Sequence, residues 1–373
     1  MIRDKIFHLP SLHGRGWGWV FLLLLFSCSS GEKEGLTLLF TGDVLLDRGV
    51  RPIAESEGVP YLFEGVADDF ARADAVIINL ECPLADTLSP IGKQYIFHAP
   101  TRYAAGLRQA GITHACMANN HTNDQSRRGL RSTALALADA GITPLGYGPS
   151  AASRIQPVVI RGAGVTVALF NSVALTLENW VPSDTLPDVC QLRAEALAAV
   201  IHDYKAAHPD HYAIAVLHWG AEFQESPSMR QRLGAAALAN AGADAIIGHH
   251  PHVTQPFELI SQRVNKSTDG AARAEPNLFG LCQVATDEEQ SSTSQQADGT
   301  QRTDLSSSPV DSLTRGHVDL KKTPVFFSLG NFVFDQTSPP TRRALMAELV
   351  ITPDTLTARA IPVVLRRCRP FSR

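Results

Sequence analysis

Short runs of apolar residues alternate along the chain with longer segments whose apolar residues recur at helical spacing. Several of the short runs are continuous stretches of Val, Ile, Leu and Phe, which is typical of strands buried on both faces of a sheet. The alternation predicts an α/β fold in which layered β-sheets are flanked by helices. The predicted strands are 36–41, 75–80, 112–118, 165–171, 212–218, 243–247, 325–329 and 347–351, and the predicted helices are 102–110, 129–140, 192–207 and 229–241.

One polar stretch interrupts this pattern. Residues 285–314 are rich in Ser, Gln, Thr and Asp. A segment of this composition cannot bury enough apolar surface to order itself, so we predict a disordered surface insertion. The insertion separates two strand-like segments, 254–260 and 325–327, which are expected to pair as neighbours once the intervening chain is looped out.

The first 28 residues have the organisation of a lipoprotein-type signal peptide. Three basic residues precede an apolar run at 17–26, which is too short to cross a bilayer core of roughly 30 Å but suits a signal sequence. A small residue and then Cys28 follow the run, which resembles a bacterial lipoprotein processing site. The alternatives are an uncleaved N-terminal anchor and an ordinary secretory signal. All three predict that the domain lies outside the cytoplasm, and the lipoprotein signal predicts a cell-envelope protein with a lipid anchor to the membrane at Cys28.

Length and charge limit the remaining possibilities. The 373 residues suit one large domain, which we place at 36–355 and follow with a C-terminal tail at 356–373. A formal net charge of −4 without a basic stripe argues against nucleic acid as a partner. The cysteines show no CxxC spacing, which argues against a zinc ribbon or a disulfide scaffold.

Side chains that suit a metal ion follow the predicted strands, and in α/β sheets ligand sites gather at the carboxyl ends of strands. Taken singly, each is explained as a turn, a helix cap or a loop pair. Five strands in succession end in this way, however, in carboxylate, amide or imidazole groups that bind zinc, manganese or iron in mixed sites. His250 and His252 are two positions apart, so an extended segment would point both to one side. The strand-end residues are Asp43, Glu81, Asn120, His121, His218, His250 and His252.

Six motifs, taken in order, resemble those of the CapA family of capsule-synthesis proteins, which are tied to poly-γ-glutamate production. The resemblance covers about residues 36–352 and implies a fold related to the calcineurin-like metallophosphoesterases. The motifs are Gly42-Asp43, Asn79-Leu80-Glu81, Asn119-Asn120-His121, His218-Trp219-Gly220-Ala221-Glu222, Gly248-His249-His250-Pro251-His252-Val253 and Ser328-Leu329-Gly330-Asn331-Phe332-Val333-Phe334-Asp335.

The resemblance implies a role for each matching residue. Glu81 takes the place of the acidic residue that bridges two metals, His121 that of an acid beside the leaving group, and His249 that of an extra ligand. A histidine that phosphoesterases usually carry two residues after Asp43 is replaced by Leu45, so one metal, two unequal metals and a redesigned site all remain open. The implied ligands of the divalent metal (Mn, Fe or Zn) are Asp43, Glu81, Asn120, His218, His250 and His252.

Two further residues complete the candidate site. Glu222 lies four residues after His218 and is predicted to orient that histidine or to act as a base. Arg48 lies near the first motif and is predicted to hold an anionic substrate by a bidentate contact. A surface ion pair is an equally good explanation of Arg48.

Three functions are compatible with these features. The first is a metal-dependent hydrolase or transferase that acts on an anionic extracellular polymer at an amide or phosphoester bond. The second is a non-catalytic accessory scaffold that holds the polymer beside a membrane synthase. The third is a secreted phosphoesterase.

Overall fold

The computed structural model describes residues 35–262 and 321–372. The predicted signal peptide 1–28, with Cys28, and the predicted insertion 285–314 lie outside the described residues. Within the described ranges, no helix is long and apolar enough to cross a membrane.

Two mixed sheets form the centre of the fold, and a third sheet is a two-stranded ribbon. The first sheet has the order β16-β15-β14-β1-β2-β3-β4, with β13 also paired to β1, and the second has the order β11-β12-β10-β9-β7-β6. The strands are β1 (Leu36–Val44), β2 (Ala75–Leu80), β3 (His114–Cys116), β4 (Thr143–Leu145), β5 (Tyr147–Gly148), β6 (Val158–Gly162), β7 (Val165–Val173), β8 (Asp188–Val189), β9 (Tyr212–His218), β10 (Ala245–His249), β11 (Phe257–Ser261), β12 (Lys322–Phe326), β13 (Asn331–Val333), β14 (Arg343–Ile351), β15 (Leu356–Arg366) and β16 (Arg369–Ser372).

The helices cover the outer faces of the two large sheets. Buried side chains of α6 and α7 pack on the second sheet, while those of α1 to α4 pack on the first. Ser228 begins α7 with a reciprocal capping interaction with Gln231, which satisfies amide groups that the helix start leaves free. The helices are α1 (Arg51–Glu57), α2 (Ala67–Arg72), α3 (Tyr103–Gln109), α4 (Ser126–Asp139), α5 (Ala151–Arg154), α6 (Ala194–Ala207) and α7 (Met229–Asn240), and 3-10 turns span Arg48–Val50, Pro60–Val66 and Pro340–Arg342.

The alternation of side chains along β1 explains how the layers form. Leu38 and Phe40 point into a core shared with the second sheet, whereas Leu39 points to the helices on the other face. A strand buried on both faces must be apolar at successive positions, as this one is. The predicted layered α/β architecture is confirmed.

Pairing of the strands tests two further predictions. Segments 254–260 and 325–327 were expected to pair, and β11 and β12 do so in antiparallel register, from Phe257 opposite Phe326 to Ser261 opposite Lys322.

The predicted C-terminal boundary of the domain at residue 355 is wrong. The predicted tail 356–373 contains β15 and β16, which extend the first sheet beyond β14. Exposed residues alternate with buried or half-buried ones along β15, which gives the segment the mixed composition of a tail.

The sheets bring the motifs to one place. Asp43 is in register with Asn79 of β2 and with Asn331 of β13, and His218 is in register with His249. Strands β1 and β13 approach so closely that a Cβ atom at position 42 would lie 2.0 Å from the carbonyl oxygen of Gly330, so only glycine fits there.

Candidate metal centre

The six predicted ligands converge at the carboxyl ends of strands from both large sheets. Asp43 is the penultimate residue of β1 and Glu81 follows β2, whereas His218 ends β9 and His250 follows β10. Asp43 and Glu81 have no exposed surface, and His218, His250 and His252 are also buried. Asn120 is half-buried and faces His218 across the gap between the sheets.

Short distances join these side chains. Asp43 Oδ2 lies 3.2 Å from His252 Nδ1, and Glu81 Oε1 lies 3.5 Å from His252 Nε2. His218 Nε2 lies 3.9 Å from the same Glu81 oxygen and 2.9 Å from Asn120 Oδ1. All these atoms are compatible with one compact donor set of nitrogen and oxygen.

Three buried atoms in this cluster have no hydrogen-bond partner: Asp43 Oδ2, Glu81 Oε1 and His250 Nδ1. Buried polar atoms are nearly always paired, so three orphans in one cluster need an explanation. Asp43, Glu81 and His252 place one ligand atom each within 4.8 Å of one another, and so do Glu81, His218 and His250. A divalent cation between these atoms would satisfy the orphans and neutralise two buried carboxylates, so the residues fit a metal ion.

The two carboxylates differ in acidity. Burial opposes ionisation of Asp43, but the neighbouring His252 ring, whose Nδ1 atom lies 3.2 Å from Oδ2, holds the pKa of Asp43 below its usual value. Burial, together with the neighbouring charge of Asp43, raises the pKa of Glu81 well above its usual value. The second negative charge is therefore unfavourable unless a cation compensates it.

His218 and His250 are held in their neutral, metal-binding form. Burial and the neighbouring His250 lower the pKa of His218 well below its usual value. Burial and the neighbouring His252 lower the pKa of His250 to about 3. Neutral imidazole is the form that ligates a metal, so these side chains need to release no proton on binding near neutral pH.

The backbone at the two histidines has a left-handed conformation. His250 has a φ of 98° and His252 a φ of 57°, which is costly for residues with a Cβ atom. The expectation that an extended segment points both to one side is therefore wrong, although both do reach the cluster. The neighbouring Phe223, with a φ of 61°, donates its backbone N–H to the carbonyl of Pro251 at 2.8 Å and supports the turn.

Two asparagines that the sequence analysis did not select orient the ligands. Asn79 Nδ2 donates to Asp43 Oδ1 at 2.8 Å and to Glu81 Oε2 at 3.2 Å. His252 Nδ1 donates to Asn331 Oδ1 at 2.9 Å, which leaves its Nε2 atom free for a metal. Both asparagines lie inside the motifs that resemble those of the CapA family, and this position could have identified them as site residues.

His249 and Glu222 differ from expectation. His249 Nε2 donates to the backbone carbonyl of Thr41 at 2.8 Å, which commits this histidine to joining the sheets. Glu222 was expected to orient His218 or to act as a base, and the first role is not seen, because the contacts of that ring are with Asn79 and Asn120. The exposed Glu222 carboxylate instead groups with His250 and His252.

His121 belongs to a separate hydrogen-bonded chain beside the ligands. Its Nδ1 atom donates to Asp124 Oδ2 at 2.8 Å, and Lys93 Nζ lies 2.6 Å from the other oxygen of Asp124. Burial lowers the pKa of His121, and Asp124 acts in the opposite direction. Nothing in the sequence indicated Lys93, which lies 31 positions from Asp124.

A cleft of about 180 Å³ opens from the cluster to the surface, and Arg48, His121, Glu222 and His252 line it together with aromatic rings. Arg48 is both a cleft residue and an ion-pair partner, since its guanidinium lies 3.0 Å from Asp335 Oδ1. The structure thus brings all nine predicted site residues to one cluster and its adjoining cleft.

Residues 37–336 match the family model described as bacterial capsule synthesis protein PGA_cap. The capsule biosynthesis protein CapA of Bacillus anthracis is 28% identical over 62% of this chain and 58% of its own length. The PGA biosynthesis protein CapA of Bacillus subtilis is 28% identical over 62% of this chain and 62% of its own length, so the chain spans about three fifths of these relatives. Haemophilus influenzae NAD nucleotidase has a matching solved structure, with 11% identity, a TM-score of 0.47, and coverage of 88% of this chain and 50% of that one.

Proposed function

Because the chain belongs to the bacterial capsule synthesis protein PGA_cap family, we propose that it acts on poly-γ-glutamate or a related anionic polymer as a metal-dependent hydrolase or transferase. The observation that carries this proposal is the set of three unpaired buried ligand atoms beside a histidine that is oriented for proton transfer. The proposal also includes export of the protein, a lipid anchor at Cys28, and a role next to a membrane polymer synthase.

The metal would be held by the two carboxylates, the half-buried asparagine and the three histidines of the cluster. When bound, it would supply a water of lowered pKa and polarise the bond under attack. The protein contributes the geometry, since Asn79 fixes Asp43 and Asn331 fixes His252 before any ligand arrives.

His121 is the residue placed to move a proton. Its Nδ1 hydrogen is committed to Asp124, so Nε2 is the atom available to the leaving group in the cleft. The ring stacks on Phe97 with centroids 4.1 Å apart, which restricts its rotation. The imidazolium form of the ring carries a second proton on Nε2, and a departing amine or alkoxide would take that proton and leave neutral His121 with its Nδ1 hydrogen on Asp124.

Arg48 indicates which substrate the cleft suits. Its guanidinium is the cationic side chain among the described residues that line the cleft, where it lies 5.5 Å from the centre of the Phe97 ring. A single guanidinium beside aromatic rings suits an acyl unit with one carboxylate, which is what each residue of a polyglutamate chain presents. We therefore favour an amide bond over a phosphoester as the bond that is cleaved or transferred.

Leu45 favours a second candidate, the non-catalytic scaffold. This side chain is fully buried in the hydrophobic core, where metallophosphoesterases usually have a histidine. A centre that lacks one ligand could bind polymer carboxylates without supporting turnover. A phosphoesterase, the third candidate, depends on the same missing ligand.

The test combines metal content with turnover in the full chain, purified in detergent. We expect one or two equivalents of Mn, Fe or Zn by elemental analysis, lost in Asp43→Ala and His250→Ala and kept in His202→Ala, which changes an exposed histidine. Shortening of polyglutamate, followed by size-exclusion chromatography, should disappear with the metal. Metal binding without turnover of polyglutamate or phosphoesters would favour the scaffold, and metal content unaffected by either ligand change would refute the metal centre.

A further inference from the structure

A second cationic region lies at the β15–β16 hairpin, outside the metal centre. Two concave regions of about 330 and 350 Å³ flank Arg366, which lines both of them. Glu57 is the acidic residue among their described lining residues. We call this region the arginine groove, and its arginines are Arg342, Arg343, Arg366, Arg367 and Arg369.

The closing pair of the hairpin violates a rule of strand pairing. Arg366 and Arg369 stand directly opposite each other across β15 and β16. Like charges in this arrangement destabilise a sheet. Both guanidinium groups also lie over the ring of Phe371, at 5.7 and 5.4 Å from its centre, so they approach the same aromatic platform. An anion bound between the two groups would remove their repulsion.

The turn itself is also unfavourable for its sequence. Arg367 and Cys368 have φ values of 49° and 64°, so both central residues of the two-residue turn are left-handed. Turns of this kind strongly prefer Asn-Gly or Asp-Gly, because a side chain with an ordinary Cβ atom is strained there. The strained turn displays Arg367, which is exposed, at the tip of the hairpin. Departures of this kind from local sequence preferences are typical of functional sites.

Most of these charges lack a compensating acid. Among residues 35–262 and 321–372, Arg342, Arg343, Arg366 and Arg367 have no carboxylate within ion-pair distance. Arg369 does pair with Glu64 at 3.1 Å, and its buried Nε atom has no partner in the described structure. The groove therefore has unused capacity to bind carboxylates.

The sheet places the groove close to the metal centre. Strand β14 runs antiparallel to β1, with Ala347 opposite Phe40, so its first residue, Arg343, lies at the end of the sheet where β1 reaches Asp43. The end of β15 lies at the same level, since Val364 is opposite Arg343. With neighbouring strands about 4.8 Å apart, the hairpin lies roughly 10–15 Å from the metal ligands.

We propose that the arginine groove binds carboxylates of the anionic polymer a few residues away from the bond held at the metal centre. This inference rests on the proposed function and extends it, since it assigns the polymer a second contact on the same molecule. A concave surface lined by guanidinium groups and aromatic rings suits an extended flexible chain. A flat membrane surface would not enter either concavity.

The test is binding of fluorescently labelled polyglutamate to the full chain in detergent, measured by anisotropy at low and high salt. The double variant Arg366→Gln/Arg367→Asn should weaken binding at low salt by about ten-fold or more, and high salt should reduce this difference. Arg128→Gln, which removes an exposed arginine from α4, should bind as the wild type does. Asn suits the left-handed turn, so Arg367→Asn alone should raise the melting temperature while it weakens binding, which separates the effect from misfolding.

Two outcomes would overturn the inference. One is equal polyglutamate affinity in the wild type and the double variant. The other is a double variant that loses binding to phosphatidylglycerol vesicles but keeps its polymer affinity, which would make the groove a membrane contact. The His250→Ala variant separates this inference from the proposed function. If His250→Ala loses metal and turnover but still binds the polymer, the result supports the groove. If His250→Ala retains turnover, the result argues against the metal centre and does not bear on the groove.

Discussion

His121 donates the hydrogen on its Nδ1 atom to Asp124 at 2.8 Å, and both side chains are buried. Asp124 also accepts the backbone N–H of Phe97 at 2.7 Å and lies 2.6 Å from Lys93 Nζ. These contacts fix the tautomer and orientation of His121, so Asp124 is a positioning residue for the proposed acid.

Asp124→Asn should therefore lower turnover while metal content stays at the wild-type level. The amide can present its NH₂ group to His121 and so favour the wrong tautomer, and removing an oriented acid typically lowers rates by about 10²–10⁴-fold. Rates and bound metal should be measured together, with Asp139→Asn, at an exposed position on α4, as the control. A variant that loses metal in proportion to activity would show that Asp124 supports the fold of the centre instead.

Glu81→Gln should change stability in opposite directions with and without metal. Without metal, Glu81 and Asp43 are two buried carboxylates, and neutralising one should stabilise the protein by about 1–2 kcal/mol. With Mn²⁺ present, the variant loses a ligand and should gain less stability from the ion than the wild type does. Urea unfolding in EDTA and in Mn²⁺ measures both effects. Glu225→Gln is the exposed control, and a destabilised variant in EDTA would contradict the electrostatic account.

Stability should decrease below neutral pH in part through His114, which lies on β3, outside the metal ligands. Burial lowers its pKa from 6.5 to about 4. The unfolded state therefore binds more protons than the folded state between these values, so stability is lost as pH falls from 6.5 towards 4. His114→Gln should flatten this decrease by about 3 kcal/mol between pH 8 and 4, judged from the linkage between pKa and free energy. Urea unfolding from pH 4 to 8 measures it, and the exposed His202→Gln should keep the wild-type slope.

Cys28→Ser should prevent lipid attachment. Without the thiol, the precursor should remain unprocessed or the protein should leave the membrane fraction. Membrane partitioning and apparent size on a gel report the two results, with Ser29→Ala as the neighbouring control. Unchanged partitioning and size would exclude the lipoprotein signal and leave the two other N-terminal alternatives.

Much of the metal centre could be predicted because its ligands end continuous apolar strands. Asp43 lies near the carboxyl end of one such strand and Glu81 directly follows another, and parallel strands bring their carboxyl ends together. Their partners were harder to select. Asn79 and Asn331 act through hydrogen bonds to ligands, and a periodic pattern does not distinguish such a role from an ordinary loop amide.

The remaining differences come from tertiary contacts that no local pattern contains. The left-handed backbone at His250 and His252 follows from the packing of the turn against Phe223. Strand β15 alternates exposed residues with buried or half-buried apolar ones, and its pairing with β14 makes it a strand.

The ligands of the centre come from both sheets, with Asp43 and His252 separated by more than 200 positions. No early segment of the chain can hold the ion, because the binding atoms meet only after the two sheets have packed. If the chain crosses the membrane unfolded, as exported proteins with such signals do, it acquires its metal outside the cytoplasm. The ion that it carries would then be set by the metals available in the envelope, rather than by the tightly buffered pool inside the cell.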